Sequence, residues 1–187
     1  EAVKKLGIKK VQGSLFYDNS YLPDINYINK NQLPQYAYNP GMGAINLNEN
    51  RILFKWRRLD KATYKTSLTA PGLQNNAEVT NITMDLDNNK GPVYSYTLDE
   101  NKFEERWSVN RKILGKKGSR WLPVRESSYY ATAALKQLLI DRGVEIVNMK
   151  RKKVPKKVKL ICTHYSQNNK IILKNIFELS LPKNLHQ

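Results

Sequence analysis

The stretch YAYNPGMGAINLNENRILFKW, residues 36–56, decides the fold of this sequence. Asn39-Pro40-Gly41 predicts a tight turn, because proline fixes φ and glycine readily takes the positive φ that follows. Residues 44–47 lead into a strand, and residues 48–50 form a second turn. Beyond that turn, apolar and basic residues alternate with a period of two. The apolar members are Ile52, Phe54 and Trp56, and the basic members are Arg51, Lys55 and Arg57. The stretch therefore predicts an antiparallel pair of strands with an apolar face in a core and a cationic face outside.

The composition is that of a folded and strongly basic protein. The chain has 187 residues, of which 40% are hydrophobic, and this is enough for one domain with a core. It carries 32 Lys and Arg against 16 Asp and Glu, a formal net charge of +16. Such a charge attracts anionic polymers: nucleic acid, acidic lipid surfaces or anionic cell-wall polymers. The charge does not choose among them.

Cysteine usage, apolar runs and the first residues indicate less about function than the charge does. The single cysteine, Cys162, lies in an apolar run, so no disulfide framework is predicted and we expect a buried thiol. No apolar run reaches the roughly 18 residues of a membrane span, so no transmembrane helix is predicted. Residues 1–7 resemble the last turns of a helix with a glycine cap and contain no initiator methionine, so we expect the chain to begin inside a larger protein.

The segments on either side of residues 36–56 have mostly a β pattern. Residues 8–18 are predicted as a strand, and residues 19–35 as a loop rich in Asn, Pro and Tyr. From residue 62 to residue 110, strand-like runs follow one another about a dozen residues apart with turns between them. This spacing predicts a small antiparallel sheet or sandwich, and residues 61–110 are interpreted as a subdomain of their own.

The clearest helix begins at Ser127 or Ser128, since either serine is able to act as the N-cap. It ends with Arg142 in its last turn and Gly143 directly after it. The predicted inward stripe, at helical spacing, comprises Ala131, Ala134, Leu135, Leu138 and Leu139.

Shorter elements complete the predicted fold. Residues 144–147 and 160–162 are predicted strands, and a second helix is predicted from Asn168 or Asn169 to just before Pro182. The expected class is α+β: an antiparallel β-rich domain with one or two packed helices and a small all-β subdomain.

Few residues mark a chemistry of their own. His164 and His186 stand at no metal-ligand spacing with a second ligand, so neither a metal nor a cofactor is predicted. Glu104-Glu105 is interpreted as an ordinary strand pair, with nothing to mark a general acid. The basic stretch at 149–159 admits an anion-binding strip, a localisation signal or a solvated linker. Aromatic and basic residues also alternate at 54–57, as in a stacking platform for nucleic acid, but β alternation accounts for the same pattern.

Three blocks of sequence indicate a protein family, which the composition alone does not. They are IKKVQGSLFYDNSYLP at 8–23, YAYNPGMGAINLNENRILFKW at 36–56 and GSRWLPVRESSYYATAALKQLLIDRGVEI at 118–146. In order and approximate spacing they resemble the S13-type D-alanyl-D-alanine carboxypeptidases, the penicillin-binding protein 4 class, in the alphaproteobacterial versions. The part resembled lies between the first and second active-site motifs of that family. The resemblance implies serine acyltransferases that trim peptidoglycan stem peptides in the periplasm and are acylated by β-lactams.

The same resemblance implies where the catalytic motifs belong. The family uses a nucleophilic Ser with Lys three residues on, a Ser-x-Asn motif and a Lys-Thr-Gly strand. No serine here has a lysine three residues on in a context that begins a helix. Lys65-Thr66-Ser67 is not Lys-Thr-Gly, and it comes in the wrong order. The family places its nucleophile before Glu1 and its Lys-Thr-Gly after Gln187.

The second motif is present only in a degenerate form. In the family, a His-x-Ser is followed by a helix and then by Ser-x-Asn-Leu. Here His164-Tyr165-Ser166 is followed by SLPKNL at 180–185. Ser180 falls where the motif serine belongs, Pro182 takes the place of the asparagine, and Asn184 comes two residues late. Ser180 and Asn184 are therefore the candidate catalytic residues of a motif that has bulged or decayed.

The resemblance also implies a division of the chain. Residues 1–60 and 111–160 correspond to a domain II-like α+β region, residues 61–110 to a small β subdomain, and residues 161–187 to the start of the return into a transpeptidase-like domain. The division requires the Asn-Pro-Gly block and the Trp-Leu-Pro-Val-Arg block to pack together.

The predicted function is that of a non-catalytic accessory region of a periplasmic D-Ala-D-Ala carboxypeptidase/endopeptidase in peptidoglycan remodelling. The chain alone is predicted to be inactive. The implied partners are peptidoglycan stem peptides and β-lactams, through the parent catalytic domain. Anionic wall polymers are further candidates, and nucleic acid is disfavoured. The competing interpretation is a basic module that binds nucleic acid or another anionic polymer.

Overall fold

The computed structural model describes residues 2–61, 63–70, 81–88, 91–99, 102–163 and 170–171. The helices that begin and end within these residues are α1, Ala2–Lys5, and α2, Ser127–Ile140, with short 3-10 helices at Asn48–Asn50 and Arg111–Ile113. The strands are β1 Ser14–Tyr17, β2 Arg51–Arg58, β3 Tyr64–Thr69, β4 Ile82–Asp87, β5 Tyr94–Asp99, β6 Glu104–Asn110, β7 Lys117–Pro123 and β8 Asn148–Arg151. This mixture of helix and sheet confirms the predicted α+β class.

Strand β2 is the centre of the first sheet, whose order is β3–β2–β7 with antiparallel pairing on both sides. Ile52 and Phe54 are fully buried, whereas Lys55 and Arg57 are exposed. Successive side chains of a strand point to opposite faces, so the alternation predicted for this stretch is confirmed.

The hairpin predicted within residues 36–56 is wrong. Residues 44–47 form no strand, and β2 takes its partners from elsewhere in the chain. The three residues Asn48–Asn50 have φ of 52°, 54° and 52°, and a strand does not continue through left-handed backbone. The side-chain amide of Asn50 instead donates to the carbonyl of Gly41 at 2.8 Å, which holds this segment as a loop.

Strand β6 is the centre of the second sheet, whose order is β4–β6–β5. Strand β5 runs antiparallel to β6, but β4 runs parallel to it, so the purely antiparallel sheet that the spacing predicted is wrong at this pair. The reason lies in the order of the strands along the chain. Two parallel neighbours need a crossover between them, and β5 supplies it by passing to the far side of β6.

A third pairing joins distant parts of the chain, because β1 lies parallel to β8 with Ser14 opposite Asn148 and Tyr17 opposite Arg151. Strand β1 is shorter than the strand predicted for residues 8–18, since Gly13 interrupts it with φ of +100°. Strand β8 includes the beginning of the basic stretch. Residues 152–163 follow it as exposed chain without helix or strand.

The two larger sheets and α2 share one hydrophobic core. Phe54 and Leu122 enter it from the first sheet, Trp107 and Val109 from the second, and Tyr130 from α2. The predicted division of the chain at residues 61–110 stays a prediction. In the structure, β3 of that range pairs with β2, whereas β4, β5 and β6 form their own sheet.

Helix α2 starts and faces differently from the prediction. Glu126 is the N-cap, and Ser127 and Ser128 are the first helical residues, so the serine cap is wrong. Leu135 of the predicted inward stripe is 49% exposed. The buried residues are Ser127, Ser128, Tyr130, Thr132 and Ala134. The predicted glycine cap is confirmed, because Gly143 has φ of +82°, but the helix ends at Ile140, so Arg142 lies beyond its last turn.

The last predicted strand and the buried thiol are also wrong. Residues 160–162 form no strand, and the Cys162 thiol is free and exposed. The chain leaves the sheet after β8, where the N–H of Val154 donates to the Asp18 carboxylate at 2.7 Å. Residues 170–171 are helical, and the rest of the helix predicted from Asn168 or Asn169 lies outside the described residues.

Candidate functional site

The two candidate catalytic residues, Ser180 and Asn184, lie outside the described residues, as do His164 and Pro182. Their roles stay predictions. In the sequence alone, Ser180 is followed three residues later by Lys183, and Pro182 lies between them. This pair is the one place where the chain repeats the spacing of the family's nucleophile motif, and its activity is open to a direct test.

The two sequence blocks that the interpretation requires to pack together do so. The N–H of Gly41 donates to the carbonyl of Val124 at 2.8 Å, and the N–H of Val124 donates to the carbonyl of Asn50 at 2.8 Å. A Cβ built on Gly41 would lie 2.9 Å from the Cα of Arg125. Glycine is therefore needed at this position because the main chain of Arg125 passes too close for any side chain. The predicted reason, a positive φ in a tight turn, is wrong, since Gly41 has no positive φ.

Arg125 holds the loop of residues 19–46 against the place where the two sequence blocks meet, which we call the junction. Its guanidinium is buried and donates to the carbonyls of Asn26 at 3.2 Å, of Pro34 at 2.7 Å and of Asn39. It also lies over the ring of Tyr27, 4.1 Å from the centroid. Burial lowers the pKa of Arg125 from its ordinary value. A single cation thus holds together a loop that has almost no secondary structure of its own, since buried carbonyls and a buried charge each need such partners.

Glu105 joins the second sheet to the same junction. Its side chain is fully buried, and its carboxylate accepts the N–H of Arg125 at 2.9 and 3.0 Å and the N–H of Glu126 at 2.9 Å. Burial raises the pKa of Glu105 to about 7, against the opposing effect of those N–H donors. A general acid must reach its substrate, and this carboxyl group has no exposed surface, so the arrangement serves the fold.

Sequence reasoning missed Glu105, although a signal was available. Residues Glu105, Trp107 and Val109 are buried along β6, and the residues between them face outward. The same alternation that marks a strand therefore placed this glutamate in the apolar row. A charged residue in phase with two core residues indicates a buried, hydrogen-bonded carboxyl group.

An open cavity of about 580 Å³ lies against the first sheet. Six of its lining residues occupy alternate positions on the three strands and so share the outer face of the sheet. We call this surface the cationic face; its members are Lys55, Arg57, Lys65, Ser67, Lys117 and Ser119. The remaining lining residues are Trp56, Thr66 and Gly118, which lie between them on the strands. The sequence predicted a cationic side for β2 but not the neighbours that extend it.

Neither a metal site nor a membrane span emerges from the part of the chain that the structure describes. No group of three or more His, Cys, Asp and Glu side chains within it is arranged to hold a metal ion. Among its helices, none combines the length and the apolar character that crossing a bilayer requires.

Comparison with known proteins gives one family match and similar crystal structures. The model of a family described as the D-Ala-D-Ala carboxypeptidase 3 (S13) family matches residues 1–185. The crystal structure of penicillin binding protein 4 from Haemophilus influenzae is similar at 20% identity and a TM-score of 0.61, over 94% of this chain and 39% of that one. The structure of that protein with a novel β-lactam is similar at 18% identity and a TM-score of 0.56, over 94% and 37% of the two chains. The chain thus shares their fold and spans well under half of their length. No curated protein matches it.

Proposed function

The chain belongs to the D-Ala-D-Ala carboxypeptidase 3 (S13) family, and from that premise we propose that it is a non-catalytic accessory region of a periplasmic peptidoglycan-remodelling enzyme. The parent enzyme would be a serine-type D-Ala-D-Ala carboxypeptidase/endopeptidase that is acylated by β-lactams. In it, this region would frame the cleft beside the catalytic domain. The bond that is cleaved in a stem peptide, and the β-lactams, would be held for reaction by the catalytic domain and not by this chain alone.

One observation carries this proposal. The family match extends over residues 1–185, yet the chain contains no Lys-Thr-Gly, and its nearest approach is Lys65-Thr66-Ser67. In this class of enzyme, acyl transfer needs an activated serine together with the groups that hold the substrate carboxylate and stabilise the oxyanion. A chain that matches the family but lacks part of that set is expected to bind or to support, and not to react.

The junction described above supports a framing role. Arg125 and Glu105 tie the loop of residues 19–46, the second sheet and the start of α2 to one point. Sites that position a substrate work best on rigid elements with locked side chains. A loop held by a buried cation is suited to present a fixed surface to a neighbouring domain.

The test is labelling with a fluorescent penicillin. We expect the purified 187-residue chain to remain unlabelled under conditions that label a full-length enzyme of the family. Covalent labelling that disappears in Ser180→Ala and persists in Ser166→Ala would overturn the proposal, because it would make Ser180 a working nucleophile.

The charge of the cationic face, taken alone, favours a second candidate function. Its four cations, Lys55, Arg57, Lys65 and Lys117, suit a basic module that binds nucleic acid. Such a module should bind duplex or single-stranded DNA with an affinity that falls steeply as salt rises. Binding measured between low and physiological ionic strength separates the two candidates, since the accessory region is expected to show no preference for DNA over other polyanions.

A further inference from the structure

The cationic face sets like charges opposite one another on neighbouring strands. Arg57 of β2 is in register with Lys65 of β3 on one side and with Lys117 of β7 on the other. Neighbouring strands lie about 4.8 Å apart, so this row of three cations is about 10 Å long. Lys55 adds a fourth cation two residues along β2, about 7 Å away.

Nothing in the described part of the chain neutralises these cations. All four are exposed, and none of the salt bridges between described residues includes any of them. The register partners of Lys55 are Ser67 and Ser119, which carry no charge. Like charges directly opposite one another destabilise a sheet. The row therefore works against the fold, and its presence needs a reason other than packing.

The opposite side of the same strands confirms that packing does not require the cations. Ile52, Phe54 and Leu122 are fully buried there and enter the hydrophobic core. The sheet is held by that face, while the outer face carries charge and two serine hydroxyls. A surface with several neighbouring cationic donors is suited to an anionic ligand.

We propose that the cationic face is a docking surface for peptidoglycan, held through the carboxylates of its stem peptides, an inference that rests on the proposed function. Arg57 at the centre of the row is able to take a carboxylate with two parallel hydrogen bonds. Lys65 and Lys117 on either side attract carboxylates as point charges, and the hydroxyls of Ser67 and Ser119 are available as further donors. A polymer with carboxylates at intervals occupies such a row better than a single small anion does.

Two features of the face disfavour nucleic acid. Single strands are held by aromatic rings on which bases stack, and the aromatic residue on this side of β7, Trp121, already lies beneath the guanidinium of Arg51 at 5.3 Å. Duplex DNA is recognised by elements that enter a groove, whereas these cations stand on the surface of a three-stranded sheet. The face thus has the charge for DNA without the shape.

The test is cosedimentation of the 187-residue chain with purified, insoluble peptidoglycan. The face variant is Arg57→Gln/Lys65→Gln/Lys117→Gln. Its matched control, Lys4→Gln/Lys5→Gln/Lys9→Gln, removes three exposed cations of the N-terminal segment and leaves the same net charge. We expect the face variant to bind at least about tenfold more weakly than the wild type and the control to stay within about twofold. Peptidoglycan whose carboxylates have been amidated should fail to bind the wild type.

Each other outcome overturns the proposal. An equal loss in the two variants would mean that only net charge matters, and undiminished binding to amidated peptidoglycan would exclude the carboxylates. Displacement by DNA more readily than by a soluble polycarboxylate of equal charge would favour the basic nucleic-acid module. The melting temperature of the face variant is the check on folding, and we expect it to equal or exceed the wild-type value because the row of like charges is relieved.

Failure of the docking-surface proposal is distinguishable from failure of the proposed accessory function. Penicillin labelling of the chain would remove the non-catalytic role without touching the sedimentation result. An unlabelled chain whose two triple variants sediment alike would keep the accessory role and remove the docking surface.

Discussion

The carboxylate of Glu105 accepts the main-chain N–H of Arg125 at 2.9 and 3.0 Å, across the boundary between the second sheet and the start of α2. The guanidinium of the same arginine reaches the opposite way, into the loop of residues 19–46. Two ionisable residues thus connect three parts of the fold without depending on a direct ion pair. Four predictions follow from this junction and from the close contacts of two glycines.

Glu105→Gln should flatten the pH dependence of stability between about pH 4.5 and pH 7. Burial raises the folded-state pKa of Glu105 from its ordinary value of 4.5 to about 7. The folded chain keeps a proton in this window that the unfolded chain releases, so the contribution is complete below pH 4.5 and is lost as the pH rises through 7. Each unit of pKa difference is worth about 1.4 kcal/mol, so the wild type should lose on the order of 3 kcal/mol more than the variant. Urea denaturation from pH 4 to pH 8 measures the difference.

The matched control is Glu104→Gln, on the outward side of β6, where Glu104 pairs with Arg106 at 3.2 Å. It should leave the slope of the wild-type curve unchanged, since exposed ion pairs contribute little. Parallel curves for the wild type and Glu105→Gln would show that the buried carboxyl group does not titrate in this window.

Arg125→Lys should destabilise the protein by about 2–4 kcal/mol, although it keeps the charge. An ammonium group is a point charge and cannot span the carbonyls of Asn26, Pro34 and Asn39 as the planar guanidinium does. Chymotrypsin should cleave the loop faster in this variant, at exposed Tyr21 and Tyr38. Arg106→Lys, at an exposed position, is the control, and equal stability and equal cleavage for the two variants would contradict the anchoring role.

Gly41→Ala should cost about 1–3 kcal/mol, because the new Cβ would meet main-chain atoms of Arg125, with the carbonyl carbon 2.8 Å away. Main chain cannot move aside as a flexible side chain does. Gly91→Ala is the control, since a Cβ there meets nothing within 4 Å. Denaturation midpoints compare the two. A loss no larger in Gly41→Ala than in Gly91→Ala would mean that the two sequence blocks pack less closely than described.

Gly118→Ala should cost a similar amount, about 1–3 kcal/mol, through an aromatic ring. The new Cβ would lie 2.8 Å from the Cε2 atom of Trp56, whose ring stacks on Phe54 with centroids 5.2 Å apart. Gly115→Ala, three residues earlier in the chain, is the matched control because a Cβ there meets nothing within 4 Å. Tryptophan fluorescence should shift in Gly118→Ala only; an unchanged spectrum with unchanged stability would count against this contact.

The sequence predicted those features that depend on neighbours along the chain. The alternation of Phe54 and Lys55 fixes which face of β2 is buried, and Gly143 ends α2 because glycine tolerates the left-handed cap. The packing of the Asn-Pro-Gly block on residues 121–125 was also predicted, through resemblance and not through spacing. Local pattern and family resemblance were together sufficient to predict these three features.

Features that depend on distant partners were not predicted. The alternation in β2 says nothing about which strand lies beside it, so the predicted hairpin partner was wrong. The inward side of α2 was set by Tyr130, whose hydroxyl donates to the carbonyl of Arg51 at 3.1 Å, and not by the leucines. Arg125 was part of a recognised sequence block, but its anchoring role was not predicted. That role depends on carbonyls of a loop whose sequence has no periodicity. The cationic face likewise exists only where three strands meet in register.

The parallel pairing of β1 with β8 sets an order of events during synthesis. A ribosome adds about 5–20 residues each second, so β1 leaves it on the order of ten seconds before β8 does. The sheets built on β2 and β6 have all their strands by residue 123 and do not need β8. An incomplete polypeptide that ends before residue 148 therefore lacks the partner of β1 and would expose that strand edge to other chains.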